Sequence, residues 1–295
     1  MAERIFVVVN PRAGKGRGQR VAVAALDVLS RSASVEHAFT TRQGDEGLLA
    51  ERALGDGFRT VVAVGGDGTW SRVGDALVRS GEPARLGLIA GGTGCDFAKS
   101  LDIPVNPRAA AQVVLAGRVR QVDVGRVGAR HFLNICGFGY DVAVLEDSWG
   151  VGWLSGAPLY VWCALRQMRA YRGFRARVQP DGQPAREQDL LMLIVANARF
   201  FGGAFRIAPE AALDDGAFDL VSCSNASVPR RLALMARLMR GTHAGAAEVS
   251  LSRSGSVRLT FPEPPAFETD GEWNKAPERE LTVECLPRAL SVLVP

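Results

Sequence analysis

Three glycine-rich segments of the chain are suited to binding phosphate. They occupy residues 10–18, 65–69 and 90–98, and each follows an apolar run and precedes a helical pattern. Glycine allows a sharp turn and lets backbone N–H groups approach an anion, while the following helix directs its positive end to the same place. Neither the first nor the third segment has Walker A spacing, and the first is not GxGxxG, which excludes a P-loop NTPase and an ordinary dinucleotide dehydrogenase.

Charged side chains in these loops indicate how a phosphorylated ligand would be held. Asp67 lies among the glycines of 65–69, where charge repulsion argues against direct contact with phosphate. It suits a bound cation or a ribose hydroxyl, and the alternative is a structural turn with Asp67 as a helix cap. Lys15 and Arg17 either reach phosphates or lie in solvent on the first loop.

Two acidic turns lie further along the chain. Asp270 and Gly271 form a hairpin signal, and Glu272 follows them directly. A carboxylate at that position would accept a proton from an attacking hydroxyl. In the other turn, Asp214 and Asp215 would hold a hard cation with backbone carbonyls, although a plain hairpin turn is the favoured interpretation.

The first third of the chain alternates strand and helix signals, which predicts a Rossmann-like, doubly wound parallel sheet. The glycine-rich segments then meet at its ligand-binding edge. Strands are predicted at 4–9, 35–41, 60–64 and 85–90, and helices at about 19–31, 45–54, 69–80 and 96–101. From about residue 121, period-two runs predict a mainly antiparallel β domain, interrupted by helices at about 155–172 and 229–241.

Composition restricts the class of protein. The 295 residues are 47% hydrophobic and 22% charged, with a net charge of +4, which is weaker than expected for a dedicated nucleic-acid binder. The five cysteines lack zinc-ligand or CxxC spacing and are interpreted as reduced thiols in a cytosolic chain. No stretch approaches the length of a membrane-spanning helix, which predicts a soluble or peripheral protein.

Taken together, the motifs resemble those of the diacylglycerol kinase-like lipid kinases, which include sphingosine and ceramide kinases. The landmarks are NPRAGKG at 10–16, GGDGT at 65–69, GGTGCDFA at 91–98, APEAALDDGAFDL at 208–220 and DGE at 270–272. GGDGT alone is less specific, because NAD kinases and phosphofructokinases carry similar turns. The whole set in this order resembles the soluble bacterial branch of the family.

The resemblance implies an α/β nucleotide-binding domain at 1–122 and a β-sandwich lipid-substrate domain at 123–295, whose last residues would return to the first domain. It implies transfer of the γ-phosphoryl group of ATP, with Mg²⁺, to a lipid hydroxyl. Glu272 would be the general base, and Asp96 would lie near the reacting groups. The implied nucleotide contacts are Asn10, Thr40, Gly65, Gly66, Asp67, Gly68, Thr69 and Thr93. The implied ligands of a structural Mg²⁺ are Asp215 and the carbonyls of Ala212 and Ala217.

The chain departs from the family pattern beside two glycine-rich segments. Ser71 and Arg72 stand where Asn and Glu are usual, and Cys95 replaces an amide. Arg72 would change how phosphate or metal is held, whereas Cys95 is interpreted as a small buried residue. The acidic residues named above are retained, so an active kinase with a shifted nucleotide or substrate preference is expected.

A lipid substrate implies transient peripheral contact with the inner face of a membrane. Segment 149–177 mixes tryptophans with arginines, which suits an anionic interface, but its helical spacing favours a core helix with an exposed arginine face. Phe200 and Phe201 would form a mobile rim or pack within the second domain.

Diacylglycerol is the expected substrate, with sphingoid bases, ceramide or phosphatidylglycerol as alternatives within the same class. Two other functions remain as alternatives. One is a kinase of a soluble hydroxylated metabolite, as in NAD kinases, and the other is a non-catalytic homologue that binds a nucleotide or a lipid. No nucleic-acid partner is expected. The sequence leaves homodimerisation open.

Overall fold

The computed structural model describes residues 3–154, 157–203 and 205–295, which form two units. The first unit contains residues 1–124 together with 287–295, and the second contains residues 125–286. Among the described residues, no helix is both long and apolar enough to cross a membrane.

The first unit is built on a parallel sheet. Its strands are β1 (Arg4–Val9), β2 (Ser34–Phe39), β3 (Thr60–Gly65) and β4 (Arg85–Ala90). They lie in the order β4-β3-β1-β2. The residues of β1, β3 and β4 are mostly apolar, and β3 is buried throughout, as expected for strands covered on both faces, whereas the edge strand β2 is exposed or half-buried.

Helices connect these strands. They are α1 (Ala13–Gly16), α2 (Gly18–Leu29), α3 (Asp45–Gly55), α4 (Asp67–Ser80), α5 (Asp96–Ser100) and α6 (Pro107–Ala116). Helix α2 packs against α6, and α3 packs against α4. Right-handed crossovers in this strand order put the two pairs on opposite faces, so the predicted doubly wound sheet is confirmed.

The end of the chain belongs to this unit. Strands β5 (Val119–Val127) and β15 (Glu280–Leu293) include the unit boundaries, and Ser291 and Val292 pair in parallel with β4. The buried Asp123 accepts a hydrogen bond from the Arg288 N–H at 2.7 Å, where Arg288 has a positive φ of 53°. A buried carboxylate thus fixes the segment at the point where it turns.

The second unit is mainly antiparallel. Its remaining strands are β6 (Arg130–Phe132), β7 (Ile135–Gly139), β8 (Phe174–Pro180), β9 (Arg186–Ala196), β10 (Phe218–Ser224), β11 (Val249–Ser254), β12 (Ser256–Thr260), β13 (Ala266–Thr269) and β14 (Glu272–Lys275). Alternate residues of the strands face one apolar core, which includes Phe138, Phe218 and Phe267. Strand pairing, rather than helices, therefore encloses this core.

Among the described residues of the second unit there are also three helices and one 3-10 turn. They are α7 (Tyr140–Trp149), α8 (Ala157–Ala170), α9 (Val228–Arg240) and the turn His243–Gly245. The sequence predicts α9 within one residue at either end. It also predicts α8, although residues 155 and 156 of that prediction lie outside the described residues. Helix α7 was missed.

Candidate active site

The three glycine-rich segments meet within the first unit, after strands β1, β3 and β4. The N–H of Gly91 donates to the carbonyl of Gly65 at 2.7 Å, and the N–H of Asn10 donates to the carbonyl of Val64 at 2.9 Å. A Cβ on Gly92 would lie only 2.6 Å from the Cα of Gly66. Glycine is therefore required at this position because the two backbones touch. This requirement holds whether or not a ligand binds to the loops.

Side chains reinforce this contact between loops. The guanidinium of Arg17 donates to the carbonyls of Gly14 at 3.1 Å and Gly92 at 3.2 Å. It thus links the first and third glycine-rich segments, whereas Lys15 is exposed. Asp67 is the first residue of α4, and its carboxylate accepts the N–H of Phe97 at 3.0 Å. This hydrogen bond fixes the start of α5. Neither interpretation of Asp67 from the sequence, as a ligand of a cation or ribose and as a helix cap, included it.

Two carboxylates lie beside these loops. Asp96 is buried, and its carboxylate forms an ion pair with Lys99 at 2.9 Å. The next residue, Phe97, is the one whose N–H donates to Asp67. Carboxylate oxygens are ligands that Mg²⁺ prefers. Burial raises the pKa of the adjacent Cys95 thiol to about 12, and nearby Asp67 acts in the same direction. Cys95 is therefore a protonated, buried residue, as expected.

A buried polar network sets the position of Asn10. The Nδ2 of Asn10 donates to Thr69 Oγ1 at 3.1 Å and to Glu46 Oε1 at 3.4 Å. Glu46 is 1% exposed, and its other oxygen lies 3.2 Å from Nη1 of Arg72. The cation that replaces the usual family carboxylate is thus paired with a carboxylate from α3.

Sequence reasoning missed Glu46. The available signal was Arg72 itself, because a half-buried arginine next to a nucleotide loop needs an acidic partner. Thr40 is buried at the end of β2, where its N–H donates to the carbonyl of Val9 at 2.9 Å, and Thr93 is exposed on the third loop.

In the second unit, Asp270 anchors the turn that carries Glu272. Its carboxylate accepts the backbone N–H groups of Leu133 at 2.7 Å, Asn134 at 2.8 Å and Ile135 at 3.1 Å. Asp270 is buried, with a positive φ of 50°. The interpretation of Asp270 as an ordinary hairpin residue understates its role, because it ties the turn to the link between β6 and β7.

Beneath this turn lies a pair of buried carboxyl groups, Asp141 and Glu268. Burial raises the pKa of Asp141 to about 6. Burial also raises the pKa of Glu268 well above its usual range, and the nearby carboxylates of Asp141 and Asp270 act in the same direction, so this pair retains a proton. A Cβ on Gly137 would lie 1.8 Å from Oδ2 of Asp141, so glycine leaves the room for this pair.

The acidic turn near residue 215 has a cation of its own. Asp215 accepts the N–H of Ala217 at 3.2 Å, and its other oxygen pairs with the guanidinium of Arg253. The same guanidinium lies 4.0 Å from Asp219. Mg²⁺ ligation by Ala212, Asp215 and Ala217 stays a prediction, and an ion there would share the carboxylate of Asp215 with Arg253.

Comparison with known proteins agrees with this arrangement. The family model described as "Diacylglycerol kinase catalytic domain" matches residues 4–127, and the one described as "YegS C-terminal NAD kinase beta sandwich-like domain" matches residues 134–294. The chain belongs to the diacylglycerol kinase-like family. It is therefore an ATP-dependent kinase of the lipid kinase class, and the resemblance read from the motifs is confirmed.

Individual relatives cover the chain nearly end to end. A diacylglycerol kinase of Staphylococcus carnosus is 26% identical over 275 residues, which is 92% of this chain and 90% of that protein. One of Staphylococcus aureus is 27% identical, covering 100% of this chain and 93% of its own.

Solved structures support the same fold. A diacylglycerol kinase structure from Bacillus anthracis has a TM-score of 0.77 at 20% identity, covering 100% of this chain and 97% of its own. An NAD kinase from Archaeoglobus fulgidus in complex with ATP has a TM-score of 0.55 at 15% identity, covering 98% and 93%. The predicted α/β plus β-sandwich architecture is confirmed.

Proposed function

We propose that this protein phosphorylates diacylglycerol, using ATP with Mg²⁺ as the phosphoryl donor. The observation that carries the proposal is Glu272, a carboxylate on a turn that Asp270 anchors through three backbone hydrogen bonds. It occurs in a chain that matches both family models in order. The curated relatives above are named for the same activity.

In this proposal, the glycine-rich loops bind the nucleotide. Backbone N–H groups of Gly65, Gly66 and Gly68 contact the phosphates, and Asn10 is oriented by Glu46 and Thr69. The remaining predicted contacts are Thr40, Asp67, Thr69 and Thr93. Mg²⁺ enters with ATP and offsets charge on the phosphates during transfer.

Glu272 accepts the proton of the lipid hydroxyl as that oxygen bonds to the γ-phosphorus. The bond from the γ-phosphorus to the bridging oxygen breaks at the same time, and ADP leaves with its electron pair. Asp96 lies near the reacting groups. Phosphoryl transfer depends mainly on positioning, so the fixed turn at Asp270 and the touching glycine loops are the parts that the reaction requires.

A substrate panel tests the proposal. Labelled γ-phosphate is offered with Mg²⁺ to mixed micelles of diacylglycerol, ceramide, a sphingoid base or phosphatidylglycerol, and to NAD in solution. Label in phosphatidic acid supports the proposal, and label in another lipid changes the substrate within the class. Label in NAD alone favours a soluble substrate, consistent with the fold shared with the NAD kinase, and nucleotide binding without transfer favours a non-catalytic homologue.

A further inference from the structure

Helix α8 turns apolar residues outward. Val161 is 58% exposed, and Trp162 and Leu165 are 46% and 50% exposed, whereas Cys163 and Met168 face inward. The sequence favoured a core helix with an exposed arginine face. Arg166 and Arg169 are exposed as expected, but the helix is not a core helix, and that part of the interpretation was wrong. A surface helix ordinarily presents polar groups to water, so an outward apolar face indicates a partner.

The same surface includes two pairs of tryptophans. The rings of Trp153 and Trp162 lie 5.8 Å apart, and those of Trp149 and Trp273 lie 5.7 Å apart, both edge to face. Trp149 and Trp153 are the most exposed of the four, at 63% and 72%. We call this set the tryptophan surface, and it consists of Trp149, Trp153, Val161, Trp162, Leu165 and Trp273.

The tryptophan surface reaches the strand that carries Glu272. Trp273 follows Glu272 in β14, and its indole N–H donates to Glu146 of α7 at 2.8 Å. Trp149, at the end of α7, packs on the Trp273 ring. Helix α7 packs against α8, so the helix that carries the exposed apolar residues adjoins the helix that contacts Trp273, the residue next to the proposed base.

Charge identifies the partner. Helices α8 and α9 pack together, and neither contains an Asp or a Glu. Arg169, Arg237 and Arg240 are exposed on them, while Arg166 pairs with Asp147 and Arg230 pairs with Glu248. Exposed tryptophan rings and exposed arginines on helices that pack together fit the interface of a bilayer that contains anionic lipids. A second copy docked through the same face would bring the arginines together.

We infer that the tryptophan surface binds an anionic phospholipid bilayer and delivers the lipid hydroxyl toward Glu272. This inference rests on the proposed lipid kinase function. Trp153 and Trp162 are not among the proposed catalytic residues. Membrane binding can therefore be changed at these two positions without changing the residues that transfer the phosphoryl group.

The test compares the full-length parent with the double variant Trp153→Ser/Trp162→Ser. Co-sedimentation with phosphatidylcholine vesicles, with and without phosphatidylglycerol, measures binding. We expect the parent to bind the anionic vesicles more tightly, and the variant to lose about tenfold or more, because each indole loses its buried apolar area. Val23→Ser/Leu48→Ser is the matched control, since both residues are exposed apolar side chains of the first unit.

Kinase activity is measured in parallel on a short-chain diacylglycerol that dissolves as a monomer. The inference predicts unchanged turnover on this substrate and reduced turnover on vesicle-bound diacylglycerol for the double variant. Equal vesicle binding by parent and variant would overturn the inference, as would a parent dimer that the variant dissociates. Vesicle binding without phosphorylation of either substrate would instead refute the proposed function.

Discussion

Replacement of Asp270 tests how the catalytic turn is held. Its carboxylate accepts three backbone N–H groups at 2.7, 2.8 and 3.1 Å in a buried position. Bonds to a charged acceptor contribute about 1.5–3 kcal/mol each, and they are not additive. Asp270→Ala leaves three buried donors without their acceptor and puts alanine, which tolerates a positive φ less well than aspartate, at this position, so we expect a loss of about 3 kcal/mol or more in unfolding free energy.

Asp270→Asn separates the loss of hydrogen bonds from the cost of the left-handed backbone. One oxygen accepts the N–H groups of Asn134 and Ile135, and the other accepts that of Leu133. An amide keeps the first acceptor, replaces the second with a donor, and tolerates the left-handed backbone. We therefore expect a smaller loss, of about 1–2 kcal/mol.

Urea unfolding followed by tryptophan fluorescence is the assay, because Trp149, Trp153, Trp162 and Trp273 all belong to the second unit. Asp181→Ala, on an exposed turn, is the control, with an expected change within about 0.5 kcal/mol. Kinase turnover should fall in the order parent, Asp270→Asn, Asp270→Ala. An Asp270→Ala protein that unfolds at the parent's urea concentration would refute the anchoring role.

Three further predictions concern the loops and the buried charges. Arg72→Glu places two carboxylates together and should cost about 2 kcal/mol or more, while Glu46→Arg added to it should restore much of the loss, as measured by thermal unfolding. Gly92→Ala should raise the KM for ATP about tenfold or more, because the new Cβ meets the facing backbone at 2.6 Å. Since burial raises the pKa of Glu268 and that of Asp141, the contribution of this pair to stability should be fully present below their unfolded pKa values and be lost as pH rises through the raised values; Glu268→Gln should flatten that loss.

Each of these three predictions has an outcome that would contradict it. An Arg72→Glu/Glu46→Arg protein no more stable than Arg72→Glu would show that the ion pair does not couple the two sites. Gly55→Ala, in open space near the end of α3, is the control for Gly92→Ala, and equal ATP affinity in both would contradict the close-contact argument. Parallel pH–stability curves for parent and Glu268→Gln would exclude the shared proton.

The first unit could be predicted from sequence because its signals are local. Strand β4 was predicted residue for residue at 85–90, and α3 was predicted within one residue. Buried parallel strands read as continuous apolar runs bounded by glycine, and their helices have clear periodicity. Parallel pairing then brought the three glycine-rich segments to one edge without further information.

Non-local contacts could not be predicted in this way. Helix α7 begins at Tyr140, directly after β7 ends at Gly139, and it has weak amphipathic character, so no signal separated it from the preceding strand. Glu46 and Asp270 act on residues 26 and more than 130 positions away. The outward face of α8 was misread because helical spacing alone does not indicate which side of a helix faces the core.

The most direct test of the central claim measures labelled phosphate transfer from ATP to diacylglycerol by the parent and by Glu272→Gln, together with ATP binding. We expect the variant to bind ATP as the parent does and to lose about two to four orders of magnitude in turnover, the typical contribution of a general base. Undiminished transfer by Glu272→Gln would contradict the account, and so would a parent that leaves every lipid unlabelled.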